Sequence, residues 1–193
     1  GGVYDPRLYD DRLLLGLKGT FAEAQWYSMR TQLGAAKFNK AKRGALHLRL
    51  PVGFVRVADD RVALHPDQQV QSIIQHIFAE FERLGSAHKV LRVLRDQALL
   101  MPRRSGSSWA AEVSWVRPAY SAVYAILKNP AYAGAYAYGK LHRTHIPGDA
   151  HNVVMHTLPQ AEWPVLRLED FPGYISWETY QGNQQRLAEN AQG

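Results

Sequence analysis

The clearest pattern in the chain is Val70, Ile73, Ile74, Ile77, Phe78, Phe81 and Leu84, apolar positions that recur at the spacing of one helix face. Pro66 and Asp67 precede the run and Gly85 follows it, so the pattern predicts a core helix with a defined start and stop. Ser86 then opens a further helix through Gln97, with Val90, Leu91 and Leu94 on its buried side. Earlier in the chain, Thr20 and Glu23 stand in the capping-box relation and Gly44 follows a basic last turn. These signals predict a helix over residues 21–43, about 35 Å long. Its stripe of Ala22, Trp26, Met29, Leu33 and Ala36 suits lengthwise packing on another helix, while Arg30, Lys37 and Lys40 lie on a different face. An ordinary surface helix over a core and a dimer helix lying across DNA fit that stripe about equally.

The other elements are shorter. Val55 and Val57 alternate against Val62 and Leu64 around Asp59-Asp60, which predicts a small hairpin. "MPRRSGSSW", residues 101–109, reads as a basic loop rich in turn formers. Pro118 suits the first turn of a fourth helix that Asn129-Pro130 ends, because a residue before proline avoids the helical region. On that helix Val123, Ile126 and Leu127 point one way, while Ser121, Tyr124 and Lys128 point another, with Tyr120 beside them. Such a helix suits the reading helix of a helix-turn-helix-like unit, or a plain surface helix with an incidental lysine. Tyr132, Tyr136 and Tyr138 then fall on one face of a strand that Asn152–Thr157 could pair with. A last helix runs from Ser176 to about Glu189.

Charge changes this picture more than composition does. The 193 residues carry 23 Lys and Arg against 17 Asp and Glu, and the surplus is not spread evenly. Between Gln25 and Ala58 stand Arg30, Lys37, Lys40, Lys42, Arg43, Arg49 and Arg56 with no acid. A second block, Gln97 to Gly148, sets Arg103, Arg104, Arg117, Lys128, Lys140 and Arg143 against Glu112 alone. From Asp149 onward the sign reverses, with six acids against Arg167 and Arg186. Two acid-poor blocks in one small protein point to a polyanionic partner, a nucleic acid first.

Several kinds of chemistry are excluded or unsupported. With no cysteine there is no disulfide, thiolate zinc site or cysteine nucleophile, which suits a reducing, cytoplasmic compartment. No apolar run approaches the ~18 residues of a membrane span, so no membrane partner is expected. Ser105, Ser107 and Ser108 have no nucleophile elbow around them. His142, His145, His151 and His156 are close in sequence, but supporting acids are sparse and surface histidines account for them better than a metal site. No phosphate-cradling glycine loop or dinucleotide fingerprint is present, so no cofactor or metal is expected. The chain reads as a binder. It opens Gly-Gly-Val-Tyr without Met, which suggests a piece cut from a longer protein.

"YDDRLLLGLKGTFAEAQ" resembles the junction where the catalytic domain of a large serine recombinase passes into its long dimer helix. "LPVGFVRV", "VALHPDQQVQSIIQHIFAEFERLGSAHKVLRVL" and "AILKNPAYAGAYAYGK" are similar, in that order, to the DNA-binding domain that follows. "YISWETYQGNQQRLAEN" resembles its closing helix.

The resemblance implies an α+β, mainly α fold: a long N-terminal helix, then a helical, helix-turn-helix-like DNA-binding domain with small β-hairpins. It implies that residues 1–43 hold the end of the catalytic domain and the long helix, and 44–193 the DNA-binding domain. The family comprises DNA integrases, transposases and invertases that break DNA through a phosphoserine ester and rejoin it within a tetramer. The nucleophilic serine and its arginines would lie upstream of Gly1 and the cysteine-bearing zinc ribbon downstream, so this chain should bind attachment-site DNA without cutting it. Gln25 and Trp26 align where small members of the family carry a Glu-Arg pair, and neither is given a catalytic role. Carried onto this sequence, the resemblance implies that the basic end of the long helix and the segment after it, Lys37, Lys40, Lys42, Arg43 and Arg49, track the minor groove and backbone, with Arg30 also counted among the DNA-binding residues. It puts Arg103, Arg104, Tyr120, Ser121, Tyr124 and Lys128 on a second surface in or near the major groove. The bland alternative is a protein-protein interaction or oligomerisation module whose basic surface is incidental.

Overall fold

The computed structural model describes residues 5, 7–104, 112–146 and 149–191, without the side chains of 143, 145, 146 and 149–152. The fold is α+β and mainly α, and the chain divides into two compact units, Gly1–His47 and Leu48–Gly193.

The first unit is built on helix α1, Tyr9–Lys42. It begins well before the predicted residue 21, because Thr20 is not a cap: its hydroxyl donates back to the Leu17 carbonyl at 2.8 Å, as in a helix interior. The start is marked instead by Asp10 and Asp11, acids in the first turn that complement the helix dipole. Lys40 and Lys42 complement it at the other end, and Gly44 takes the left-handed conformation beyond it. Of its residues only Ala41 is buried; Leu13, Leu17, Trp26, Met29 and Leu33 are exposed.

The second unit surrounds one core. Strands β1 (Phe54–Arg56) and β2 (Val62–Leu64) form the predicted antiparallel hairpin, pairing Phe54 with Leu64 and Arg56 with Val62. Helix α2, Gln68–Leu84, starts on the Asp67 side chain, which accepts from the Gln69 amide at 2.8 Å, and ends on left-handed Gly85. Its Val70, Ile74, Ile77, Phe78 and Phe81 are buried, as their spacing requires, with Ile73 and Leu84 at the margin. Helix α3, Ala87–Asp96, buries Val90, Leu91 and Leu94 beside it.

The segment expected as a basic loop is in part a strand: β3, Met101–Arg104, pairs antiparallel with β4, Val113–Val116. Residues 105–111, which hold Ser105, Ser107 and Ser108, lie outside the described residues. Helix α4, Tyr120–Lys128, starts after Ala119, so Pro118 is just upstream of the first turn rather than in it. Asn129-Pro130 ends it as expected, and a short 3-10 turn, Pro130–Ala133, follows.

The tyrosines part company here. Tyr132 lies in that 3-10 turn and is fully buried, whereas β5 is only Tyr136–Tyr138 and pairs with β8, Val165–Arg167. The expected partner, residues 152–157, belongs to β7, Asp149–Thr157, which pairs with β6, Leu141–Ile146. Two hairpin-like pairings thus replace the one expected. Gly134 makes the turn into β5 at φ 70°, and a side chain there would run into the Phe171 carbonyl. Helix α5, Trp177–Glu189, starts on Ser176, whose hydroxyl accepts from the Thr179 amide at 3.1 Å.

Burial pushes the Tyr174 and Tyr180 hydroxyls up to about 12, and raises Tyr132 also. The fold therefore favours the neutral phenols, and its stability is intact below pH 10 and declines as pH rises from 10 toward 12. Urea midpoints at pH 8 and pH 11 should show a marked fall; equal midpoints would mean that these rings ionise freely in the fold.

Candidate nucleic-acid interface

Helix α4 has no acid, and its residues separate cleanly into two sides. Val123, Ile126 and Leu127 are buried, while Tyr120, Ser121 and Lys128 are exposed and Tyr124 half-exposed. At ~100° per residue, Tyr120, Tyr124, Lys128 and Ser121 fall within roughly 100° of arc. The ring of Tyr120 stacks on that of Tyr124, with centroids 5.6 Å apart, and the Lys128 ammonium sits 5.4 Å from the Tyr124 centroid. The result is a ladder of two aromatic faces ending in a cation.

Both ends of α4 are held. At its start, the Arg95 guanidinium of α3 donates twice to the Pro118 carbonyl, at 3.1 and 3.3 Å. At its end, where helix carbonyls lack partners, the Tyr180 hydroxyl donates to Lys128 O at 3.2 Å and the Gln184 amide to Leu127 O at 2.8 Å. Helix α5 therefore caps α4 from outside. The Asn129 side chain accepts from the Ala131 amide at 3.1 Å and fixes the exit of the chain. The four polar residues picked from spacing are thus brought onto one face of a helix fastened at both ends.

The two arginines of β3 are placed differently from each other. Arg103 is exposed, and Ser114 donates to its carbonyl across the strand pair. Arg104 is half-buried and turns inward, donating from Nη2 to the Phe54 carbonyl at 2.7 Å. Burial, with Arg49 nearby as a second positive charge, makes its proton easier to lose than usual. Its Nε has no hydrogen-bond partner among the described residues. In the first unit, Arg30, Lys37, Lys40, Lys42 and Arg43 are all exposed, and the Lys42 ammonium lies 4.6 Å from the Phe38 ring centroid. Arg49, at the beginning of the second unit, is exposed as well.

Sequence reasoning missed the outer edge of α3. His88 stacks on Tyr120 with centroids 4.1 Å apart and so extends the α4 ladder onto its neighbour. The available signal was the period of Lys89, Arg92 and Arg95, three bases spaced by three opposite Val90, Leu91 and Leu94. It also missed an anchor at the start of the domain. Three successive carbonyls accept from remote side chains: Val52 from the Tyr132 hydroxyl at 2.8 Å, Gly53 from that of Tyr174 at 2.6 Å, and Phe54 from Arg104.

His142 and His156 face one another across the β6–β7 register, while the side chains of His145 and His151 lie outside the described residues. Among the described residues no group of three or more His, Asp or Glu could hold a metal ion. No helix among them is long and apolar enough to cross a membrane.

Comparison with known proteins adds three findings. The chain is 42% identical over all its 193 residues to an uncharacterized protein, y4bA/y4pH, of Sinorhizobium fredii (strain NBRC 101917 / NGR234), and covers 28% of that relative's length. Its fold is similar to that in a crystal structure of an LSR–DNA complex, with a TM-score of 0.51 at 12% identity over 81% of this chain and 39% of the other. The sequence model of the Recombinase family matches residues 68–190, the stretch from the first residue of α2 through α5 that builds both the core and the α4 face. The chain therefore belongs to the Recombinase family, the large serine recombinases that its ordered motifs resemble.

Proposed function

We propose that this chain is the part of a site-specific serine recombinase that binds double-stranded attachment-site DNA. The observation that carries the proposal is the α4 face: acid-free, solvent-facing, and fastened at both ends within the family's own domain. Tyr120, Ser121, Tyr124 and Lys128 are assigned to the base edges and adjoining backbone of the major groove, with the exposed Arg103 on the same second surface. Arg104, turned inward onto the Phe54 carbonyl, is assigned to holding the domain's start rather than to DNA. Arg30, Lys37, Lys40, Lys42, Arg43 and Arg49 are assigned to minor groove and backbone. In the whole protein, residues 1–43 would join the catalytic domain to the DNA-binding domain of 44–193. The bound site would then be broken and rejoined through a phosphoserine intermediate.

Self-association through α1 belongs to the same proposal. A helix that leaves Leu13, Leu17, Trp26, Met29 and Leu33 exposed and contains Gly16, Gly19 and Gly34 gains little from its own propensity. A second copy along that stripe would supply the missing burial.

A duplex carrying an end of the parent's mobile element should be retained in a gel shift, with log K falling linearly against log salt. Salt-independent retention, or none with a matched end, would sink the proposal. The exposed stripe also favours the rival reading, an oligomerisation module with an incidental basic surface. That reading predicts association of the chain with no affinity for any duplex.

A further inference from the structure

We propose that the solvent edge of α3 is a second DNA site, one that binds the phosphate backbone through Lys89 and Arg92. It rests on the DNA-binding role proposed above and adds to it a site of different chemistry, sequence-independent where the α4 face is selective.

Three observations carry the site. First, the bases of α3 are confined to its outer side: Lys89 and Arg92 are exposed, Ala87, Val90, Leu91 and Leu94 are buried, and Asp96 in the last turn is the helix's one acid. Neither Lys89 nor Arg92 is in an ion pair among the described residues, so their charges are available to an outside anion. Second, Lys89 stands in the first turn, which contains no acid. A helix dipole favours acids there and disfavours a lysine, so local helix stability does not explain the choice. Third, this edge is continuous with the α4 face. His88, one turn before Arg92, stacks on Tyr120 at 4.1 Å, and Arg95, one turn after it, grips the Pro118 carbonyl just before α4. A duplex seated on the Tyr120–Lys128 ladder would therefore bring a phosphate strand past α3, much as the first helix of a helix-turn-helix pair crosses the backbone beside the groove its partner reads.

The test compares the unaltered chain with a Lys89→Ala, Arg92→Ala variant on two probes, an element-end duplex and a mixed-sequence duplex, over a range of salt. With two phosphates no longer neutralised, the slope of log K against log salt should fall by about 1.8 on both probes, and the preference for the element end should stay unchanged. The Lys89→Arg, Arg92→Lys variant, which keeps both charges, should keep the original slope, and thermal melts of all three should coincide. An unchanged slope in the alanine variant overturns this site and leaves the DNA-binding role standing. So does a loss confined to the element end, since that would signal base readout. If the unaltered chain binds neither duplex, the role itself fails and this site with it.

Discussion

Replacing Phe54 with alanine should destabilise the Leu48–Gly193 unit by about 3–5 kcal/mol, the usual range for deleting a buried phenyl ring. Phe54 has no solvent exposure, and its ring meets three others: Tyr174 at 5.3 Å and Phe171 at 5.5 Å, both edge-on, and Tyr132 at 5.6 Å, tilted. Edge-to-face contacts of this kind are each worth about 0.5–1.5 kcal/mol beyond the area they bury. The backbone around it cannot easily settle into the cavity, because the carbonyls of Val52, Gly53 and Phe54 are each tied to a different distant element. Next to it, a side chain on Gly53 would run into Ile74 and Tyr174, so this stretch of backbone is closely overlain. In a domain this size a loss of that order lowers the melting temperature by roughly 10 °C. Tyr174→Phe keeps the ring and removes only the donor to Gly53, so it should cost less, about 1–3 kcal/mol for the unsatisfied carbonyl. Urea denaturation followed by tryptophan fluorescence would rank the two; a Phe54→Ala loss below ~1 kcal/mol, far under the large-to-small range, would mean that this cluster is not the keystone of the domain.

The same cluster shows where sequence stops being informative. Helix α2 could be read from its own residues because every apolar position in it answers one local question, which face is buried. The face of α4 was legible for the same reason: Tyr120, Ser121, Tyr124 and Lys128 lie on one helix, and helix geometry alone gathers them. What was missed depends on partners far along the chain. Tyr136–Tyr138 could be seen as a strand, but alternation cannot choose between residues 152–157 and Val165–Arg167 as its neighbour. Arg104 carries the same charge as Arg103, and only the position of the Phe54 carbonyl, fifty residues upstream, decides that one turns inward. At α1 the difficulty was local: Thr20 and Glu23 match a capping box, yet Leu13, Leu14 and Leu17 before them continue the helix through Gly16 and Gly19. A cap motif marks a start only where the preceding residues cannot be helical.

Reversing three charges at the end of the long helix, with Lys37→Glu, Lys40→Glu and Arg43→Glu together, should have the largest effect on DNA affinity. All three side chains are exposed, and α1 contributes little to any core, so the second unit should fold as before. Acids placed near the helix C-terminus oppose its dipole, at a cost of about 0.3–1 kcal/mol each, enough to fray the last turn but not to unfold the domain. The effect on binding is larger. Hydrogen bonds to a charged group contribute about 1.5–3 kcal/mol each, so removing three bonds to phosphate reduces affinity by about a thousandfold or more. The salt slope should fall by about 2.7, or 0.9 for each phosphate left without its cation. Preference for an element end over mixed-sequence DNA should stay as it was, because bonds to phosphate carry no base information and the α4 face is untouched. The two surfaces thus make opposite demands on one experiment: α4 variants should change which duplex is preferred, and the triple variant how tightly every duplex is held. A triple variant that binds DNA as the unaltered chain does would leave the basic end of α1 without a role in DNA binding and the α4 face as the whole interface.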